Sequence, residues 1–408
     1  MVIFVTNQKT STIKNISLMF KIQTLNKIDP DGLSLFPQDN YEISDEYENP
    51  DAIVLRSFKM HDMELPESLK AVARAGAGVN NIPLEKCAKK GVVVFNTPGA
   101  NANGVKELIL AGLLVSSRDV VGGISWAKSL VGKGDEVPGL IEKGKKNVAG
   151  QEIKGKTLAV IGLGAIGVLV ANAAQALGMH VIGYDPYISV KHALSLSSDV
   201  TWIEGIQPLL AQADFITINI PLTAETKGYI NKEKFEMMKQ DVKILNFARG
   251  GLVDMADLKE AIGTGKVAKY VTDFPDEEAI KMDNVIAIPH LGASTKESES
   301  NCTIMAVKQL KDYLENGNII NSVNFPNAEM EVHDGCRILI ANYNIPNIVS
   351  QISSVLAAKG LNIESMLNKK RNEIAYNIID VDKKQISNTI KEELLAIEGI
   401  FMVRIIQK

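Results

Sequence analysis

The sequence predicts an α/β protein with a separate small module at its C-terminal end, and three observations carry that reading. Short apolar runs alternate with helix-length segments over most of the chain, as they do where parallel strands are joined by crossover helices. A Gly-X-Gly-X-X-Gly turn, Gly162 to Gly167, follows one such run and opens a helix of small residues. The C-terminal stretch reads β-α-β-β-α-β, the ferredoxin-like pattern.

The elements follow in order. VIFV (2–5), AIVL (52–55), KAVARAG (70–76) and GVVVFN (91–96) are expected buried strands. Asn103–Arg118 is mostly apolar, which predicts a helix buried inside the chain or against a second copy. Gly132–Lys156 holds six lysines, six glycines and a Val-Pro-Gly break, and it reads as an exposed connection. Strands are next expected at 157–161, 181–184, 214–219, 242–246, 268–272 and 285–288, with helices between them. Six strands at that spacing suit a Rossmann-type doubly wound nucleotide-binding domain. Asn301–Asn316 reads as an amphipathic returning helix and Asn321–Met330 as a linker. In the last module RILIAN (337–342), NIESMLNKK (362–370), EIAYNIIDV (373–381) and MVRIIQ (402–407) are strands. Val349–Lys359 and KQISNTIKEELLAI (384–397) are its helices.

Composition narrows the function. The 408 residues carry a net charge of −4 with both signs interspersed, so no basic surface for nucleic acid or anionic lipid is expected. The run Leu108–Val115 is too short to span a bilayer, and the N-terminus shows neither basic leader nor cleavage site. Cys87, Cys302 and Cys336 are far apart and odd in number. They exclude a disulfide framework and a CxxC metal site and suit a reducing cytoplasm.

Each glycine of the turn has a task. Gly162 permits the bend, Gly164 lets backbone approach a pyrophosphate, and Gly167 lets helix and strand pack closely. The helix N-terminus offers unpaired N–H groups to phosphates. Asp185 ends the next strand, where a carboxylate accepts hydrogen bonds from a ribose 2′-hydroxyl and repels a 2′-phosphate. The expected cofactor is NAD rather than NADP. A bare glycine-rich turn without a ligand is the plain alternative.

Oxidation of a hydroxy acid needs a cation for the carboxylate, a base for the hydroxyl proton and a group that tunes the base. NFARGG (246–251) ends one strand with Arg249, whose planar fork suits a carboxylate. IPHLGAST (288–295) supplies His290, the side chain suited to proton exchange near neutral pH. TDFPDEE (272–278) carries Asp273, Glu277 and Glu278, any of which could favour an imidazolium. Taken singly, these residues also read as a surface cation, an inert histidine and a solvated acidic turn.

GLGAIG…YDP, NFARGGLVD and IPHLGAST, together with RAGAGVNNIP (74–83), resemble the D-isomer-specific 2-hydroxyacid dehydrogenase family. The resemblance implies a flavodoxin-like α/β substrate domain, 1–98 plus 290–326, with the nucleotide-binding domain 99–289 inserted in it and the active site in the cleft. It implies that Arg249 is the catalytic arginine and His290 the acid/base. The family's glutamate is Glu278 when counted from Asp273 and Glu277 when anchored on Phe274-Pro275; Glu277 is preferred. Asp273 is matched to the nicotinamide carboxamide. Ala165 and Ile166 are matched to the pyrophosphate turn, and Phe247, Ala248, Gly292 and Ala293 to the cofactor lining. Arg56, Ser57 and Lys59 are expected at a substrate phosphate, or as surface residues, and Gly76, Ala77, Gly78 and Val79 along the substrate. The implied reaction is oxidation of 3-phospho-D-glycerate, the first step of L-serine biosynthesis. The alternatives are a glyoxylate or hydroxypyruvate reductase and a non-catalytic NAD-sensing scaffold. Residues 331–408 resemble an ACT regulatory domain, which implies an amino-acid effector such as L-serine near Asn342, Asn344 and Asn362. Asn342 replaces a histidine of serine-inhibited relatives, and Asn347 a usual glycine. A homodimer or homotetramer in the cytoplasm completes the expectation.

Overall fold

The computed structural model describes residues 19–407, in two compact units: Pro98–Asn301, and the remainder on either side of it in sequence. The strand expected at 2–5 lies outside the described residues.

The unit formed by both ends of the chain holds a five-stranded parallel sheet: β1 (Phe20–Leu25), β2 (Tyr41–Ser44), β3 (Ala52–Leu55), β4 (Ala71–Arg74) and β5 (Val93–Phe95), in the order β2-β1-β3-β4-β5. That order is the flavodoxin-like one. The runs AIVL of β3 and VVF of the edge strand β5 are fully buried, as their unbroken apolar character requires. β1 and β2 were not expected, because FKIQTL and YEIS mix polar residues into short runs. Gln23, buried in β1, donates to Asp45 O at 3.0 Å. The helix Lys296–Asn316 packs Val307, Leu310 and Tyr313 onto the core formed by Ile22, Val54 and Phe95.

Residues 321–330 are not a free linker. Asn324 accepts from Val94 N at 2.8 Å and donates to Val92 O at 2.9 Å, while Phe325 is fully buried. A side-chain amide imitates a strand neighbour here, which polarity alone does not reveal.

The other unit holds seven parallel strands: β6 (Thr157–Ile161), β7 (His180–Tyr184), β8 (Thr201–Trp202), β9 (Phe215–Ile218), β10 (Val242–Asn246), β11 (Val267–Thr272) and β12 (Val285–Ala287). Their order, β12-β11-β10-β9-β6-β7-β8, reverses direction between β6 and β9, where open α/β sheets bind ligands. β8 was not expected; two exposed residues carry no periodicity. The apolar helix spans Ala102–Ser117 and is followed by a second, Val120–Ser129, bent from it by 66°. The stretch 132–156 is not wholly irregular: Val137–Gly144 is a helix with proline in its first turn, where the missing N–H costs nothing. Among the described residues no single helix is long and apolar enough to cross a membrane.

The C-terminal module runs β13 (Cys336–Tyr343), helix Ile348–Ala358, β14 (Ile363–Arg371), β15 (Ile374–Val381), helix Thr389–Leu395, β16 (Ile400–Gln407). Its sheet is antiparallel in the order β14-β15-β13-β16. The second helix begins five residues later than its pattern suggests. Ser387 accepts from Thr389 N at 3.3 Å and holds the preceding stretch in a turn.

Candidate active site

The nucleotide turn is built from backbone constraints. Gly162, at φ 90°, closes on Tyr184 O through its own N–H at 2.8 Å. A Cβ there would lie 2.7 Å from Asn219 O. A Cβ on Gly167 would lie 1.9 Å from Gly162 O, so strand and helix meet only through glycine. Gly164 is different: nothing lies within 4 Å of a Cβ built on it. It caps the helix Ala165–Ala176 without a side-chain hydrogen bond, leaving first-turn N–H groups for an anion. Asp185, just past β7, accepts from Leu163 N at 2.9 Å and from Tyr187 N at 2.8 Å, one bond to each oxygen. The carboxylate is thereby held rigid, and each oxygen keeps a lone pair for a hydroxyl.

The chemical groups gather beyond β10, β11 and β12. Asn246 shapes the first loop, accepting from Ala248 N at 3.2 Å and donating to Arg249 O at 2.9 Å and to the Tyr270 hydroxyl at 3.1 Å. The exposed Arg249 guanidinium donates to Ala248 O at 2.7 Å. It stands 5.7 Å from the centre of the Phe274 ring, and the His290 imidazole lies 4.4 Å from the same ring, tilted by 46°. Phe274 thus holds the cation and the imidazole together. It was absent from the candidates, although it follows Asp273 directly; an aromatic residue in a turn carries no polar signature.

Asp273 is 1% exposed. Its Oδ2 accepts from Gly292 N at 3.3 Å, while Oδ1 is buried without a partner. Burial raises its carboxyl to about 6, against the pull of the Gly292 N–H and the Arg249 charge. An orphaned buried acceptor is unusual. It fits an amide donor from a bound group, and with the open glycine turn it fits a dinucleotide ending in a carboxamide. Phe247 is buried, and Ala165, Ile166, Ala248 and Ala293 are half-buried. Glu277 and Glu278 open a short helix, and both pair with Lys281, at 2.9 and 3.2 Å. The structure therefore groups Arg249, Asp273 and His290, and gives the two glutamates a lysine partner.

In the other unit, Arg56 follows β3 and Lys59 is exposed beyond it. Ser57 N donates to Asn26 Oδ1 at 3.2 Å. The loop Gly76–Val79 is tied down by backbone carbonyls: Ala77 O accepts from Asn96 Nδ2 at 2.6 Å, Gly76 O from Thr97 N at 3.1 Å, and Gly78 O from the Arg74 guanidinium. In the C-terminal module Asn342 is buried, accepting from Asn377 Nδ2 at 2.8 Å and donating to Tyr343 O at 2.7 Å. Asn344 and Asn362 are exposed. Asn347 takes φ 71°, the left-handed conformation in which asparagine is the usual substitute for glycine.

Comparison with known proteins agrees with this geometry. Residues 121–292 match the model of the D-isomer specific 2-hydroxyacid dehydrogenase NAD-binding domain. A Methanocaldococcus jannaschii protein named D-3-phosphoglycerate dehydrogenase is 38% identical over 299 residues, 71% of this chain and 55% of its own length. A Schizosaccharomyces pombe protein that carries the same name provisionally is 30% identical over 348 residues, 78% of this chain and 70% of its own. The NAD⁺-bound 3-phosphoglycerate dehydrogenase of Entamoeba histolytica superposes with a TM-score of 0.59 at 26% identity, covering 75% of this chain and 99% of that one. The chain spans about half the length of several curated relatives that it matches.

Proposed function

The chain belongs to the D-isomer-specific 2-hydroxyacid dehydrogenase family, and from that premise we propose that it oxidises 3-phospho-D-glycerate to 3-phosphohydroxypyruvate. The carrying observation is the placement of Arg249 and His290 against one ring, Phe274, beside the buried acceptor of Asp273. Bound NAD⁺ supplies the acceptor for the hydride that leaves substrate C2. Arg249 holds the substrate carboxylate with its planar fork. His290 takes the hydroxyl proton on a ring nitrogen as the C2–O bond becomes a carbonyl, then releases it to water. Phe274 limits how far the imidazole can tilt. Glu277 is the proposed partner of the imidazolium and Glu278 the alternative. Either must leave Lys281, and an exposed pair of that kind holds weakly. Arg56 and Lys59 are the proposed contacts for the phosphate.

L-serine or a similar amino acid is the proposed effector of the C-terminal module, with Asn344 and Asn362 as contacts. A homodimer or homotetramer is proposed from the exposed Val120, Val121 and Ile124 of the helix Val120–Ser129. Three buried, unbridged thiols fit a reducing compartment, and the proposed location is the cytoplasm.

The test follows the growth of reduced nicotinamide absorbance with NAD⁺ and a panel of hydroxy acids. Turnover is expected with 3-phospho-D-glycerate and a loss of roughly 10²-fold or more in His290→Ala. Arg56→Gln/Lys59→Gln is expected to raise KM for the phosphorylated substrate alone. Full turnover by His290→Ala, or preference for glyoxylate over every phosphorylated acid, would overturn the reading.

A further inference from the structure

We propose that the hairpin β14–β15 and the loop after β5 form a second anion site, one that takes a phosphate group and acts on the loop Gly76–Val79. A cavity of about 340 Å³ lies there, with Lys369, Lys370 and Arg371 on one side and Asn96, Asn321 and Asn327 on the other. Three consecutive cations end an edge strand. Among the described residues no carboxylate pairs with any of them, whereas Lys70, Lys232, Lys281 and Lys359 each hold a carboxylate. Two lysines and a guanidinium more than offset the charge of a phosphate dianion, and the side-chain amides of Asn321 and Asn327 add neutral donors, the Asn96 amide being engaged by Ala77 O. Asn327 and Pro326 line the same open cleft, which a small anion enters directly from solvent.

The opposite wall reaches the substrate loop in three steps. The Arg371 guanidinium donates to Ser322 O at 2.7 Å. Asn321, held at φ 60° beside it, accepts from Asn96 N at 3.3 Å through its carbonyl. Asn96 Nδ2 then donates to Ala77 O at 2.6 Å. An anion that draws Arg371 toward the two lysines pulls on Ser322, and the strained turn passes the shift to Ala77. This coupling rests on the functional reading above, because it assigns the loop to the substrate; the binding itself does not.

The full-length protein is titrated calorimetrically with inorganic phosphate at constant ionic strength, since screening alone changes with added salt. Lys369→Gln/Lys370→Gln is expected to weaken one phosphate-binding event roughly ten-fold or more, with unchanged melting temperature and unchanged turnover in phosphate-free buffer. That event persists in Arg56→Gln/Lys59→Gln. Phosphate is expected to shift the substrate KM of the wild type by a few-fold, a shift lost in Asn96→Ala while the binding heat remains. A phosphomonoester that is not a substrate, glycerol 2-phosphate, forms the parallel arm. A larger KM shift with it names an organic phosphate as effector, a larger one with inorganic phosphate names the free ion. Identical phosphate heats in the wild type and Lys369→Gln/Lys370→Gln overturn the site. A KM shift that survives Asn96→Ala overturns the route. Should no hydroxy acid turn over at all, the functional reading fails while the calorimetric arm still decides the site.

Discussion

Asp273 combines burial, one backbone donor and one unpartnered oxygen, so its protonation is coupled to folding. Its carboxyl titrates near 6 in the native state, above the ordinary aspartate value. Between roughly pH 4 and 6 the folded protein therefore holds a proton that the unfolded chain has lost, and stability falls as pH rises through that window. Arg249 is the charge that opposes the shift. Asp273→Asn is expected to remove the fall. Its advantage over the wild type should grow from nothing near pH 4 to on the order of 2–3 kcal/mol above pH 6, read by denaturant unfolding at each pH. A constant difference across the window would show that the carboxyl is not buried in solution. Asp185 makes the second residue-scale prediction. Asp185→Ser should weaken NAD binding by about 1.5–3 kcal/mol and narrow the gap to NADP, measured by cofactor fluorescence titration. Both residues were legible from sequence, because each carboxylate sits at a fixed interval from a glycine turn or a strand end. Phe274 was not, since a ring acts through packing and leaves no spacing rule behind.

At the scale of elements, the turn from β6 into its helix depends on two glycines for different reasons. Gly162 needs a left-handed backbone and Gly167 needs the absence of a side chain. Gly162→Ala is expected to cost about 1–3 kcal/mol of stability and to lower NAD affinity, measured by chemical unfolding and by cofactor titration on the same preparation. Wild-type behaviour in both would mean that the turn rearranges to accept a methyl group. Six of the seven strands of this sheet were recognisable because each is a short, mostly apolar run between helix-length segments. β1, β2 and β8 were not, because edge or near-edge strands are half-solvated and mix polar residues freely. The glutamates show a similar limit. Glu277 and Glu278 could be narrowed to one short helix, but their pairing with Lys281 follows from helical spacing that the turn-like pattern PDEE conceals.

At the scale of the whole molecule, the C-terminal module shares an apolar core with the five-stranded sheet, through Leu339, Ala341, Tyr376 and Ile378, and adds polar bonds at the end of one helix. Arg404 donates to Tyr313 O and Leu314 O at 2.7 and 2.5 Å, Arg337 to Asn316 O at 2.9 Å, and the Tyr376 hydroxyl to Gly317 O at 2.8 Å. Carbonyls at the C-terminal end of the helix, where partners run short, thus gain donors from side chains of β13, β15 and β16. Arg337 also pairs with Asp380 in a site where both side chains are at most 6% exposed. Arg337→Met should cost about 3–5 kcal/mol, because it strands a buried carboxylate, and should speed amide exchange in β13 and β15. Unchanged exchange there would mean that the module is held by its apolar contacts alone.

The order of apolar runs and glycine turns was enough to establish the class of each sheet and the cofactor turn, because these follow from periodicity and from the backbone freedom of single residues, and the strand-end loops singled out Arg249 and His290 as candidates. Three features needed the folded chain. These are the ring that brings Arg249 and His290 together, the amide of Asn324 standing in for a strand, and the meeting of Lys369–Arg371 with Asn96 and Asn321. Each joins residues distant in sequence or acts through shape, and only packing in three dimensions brings such groups within reach.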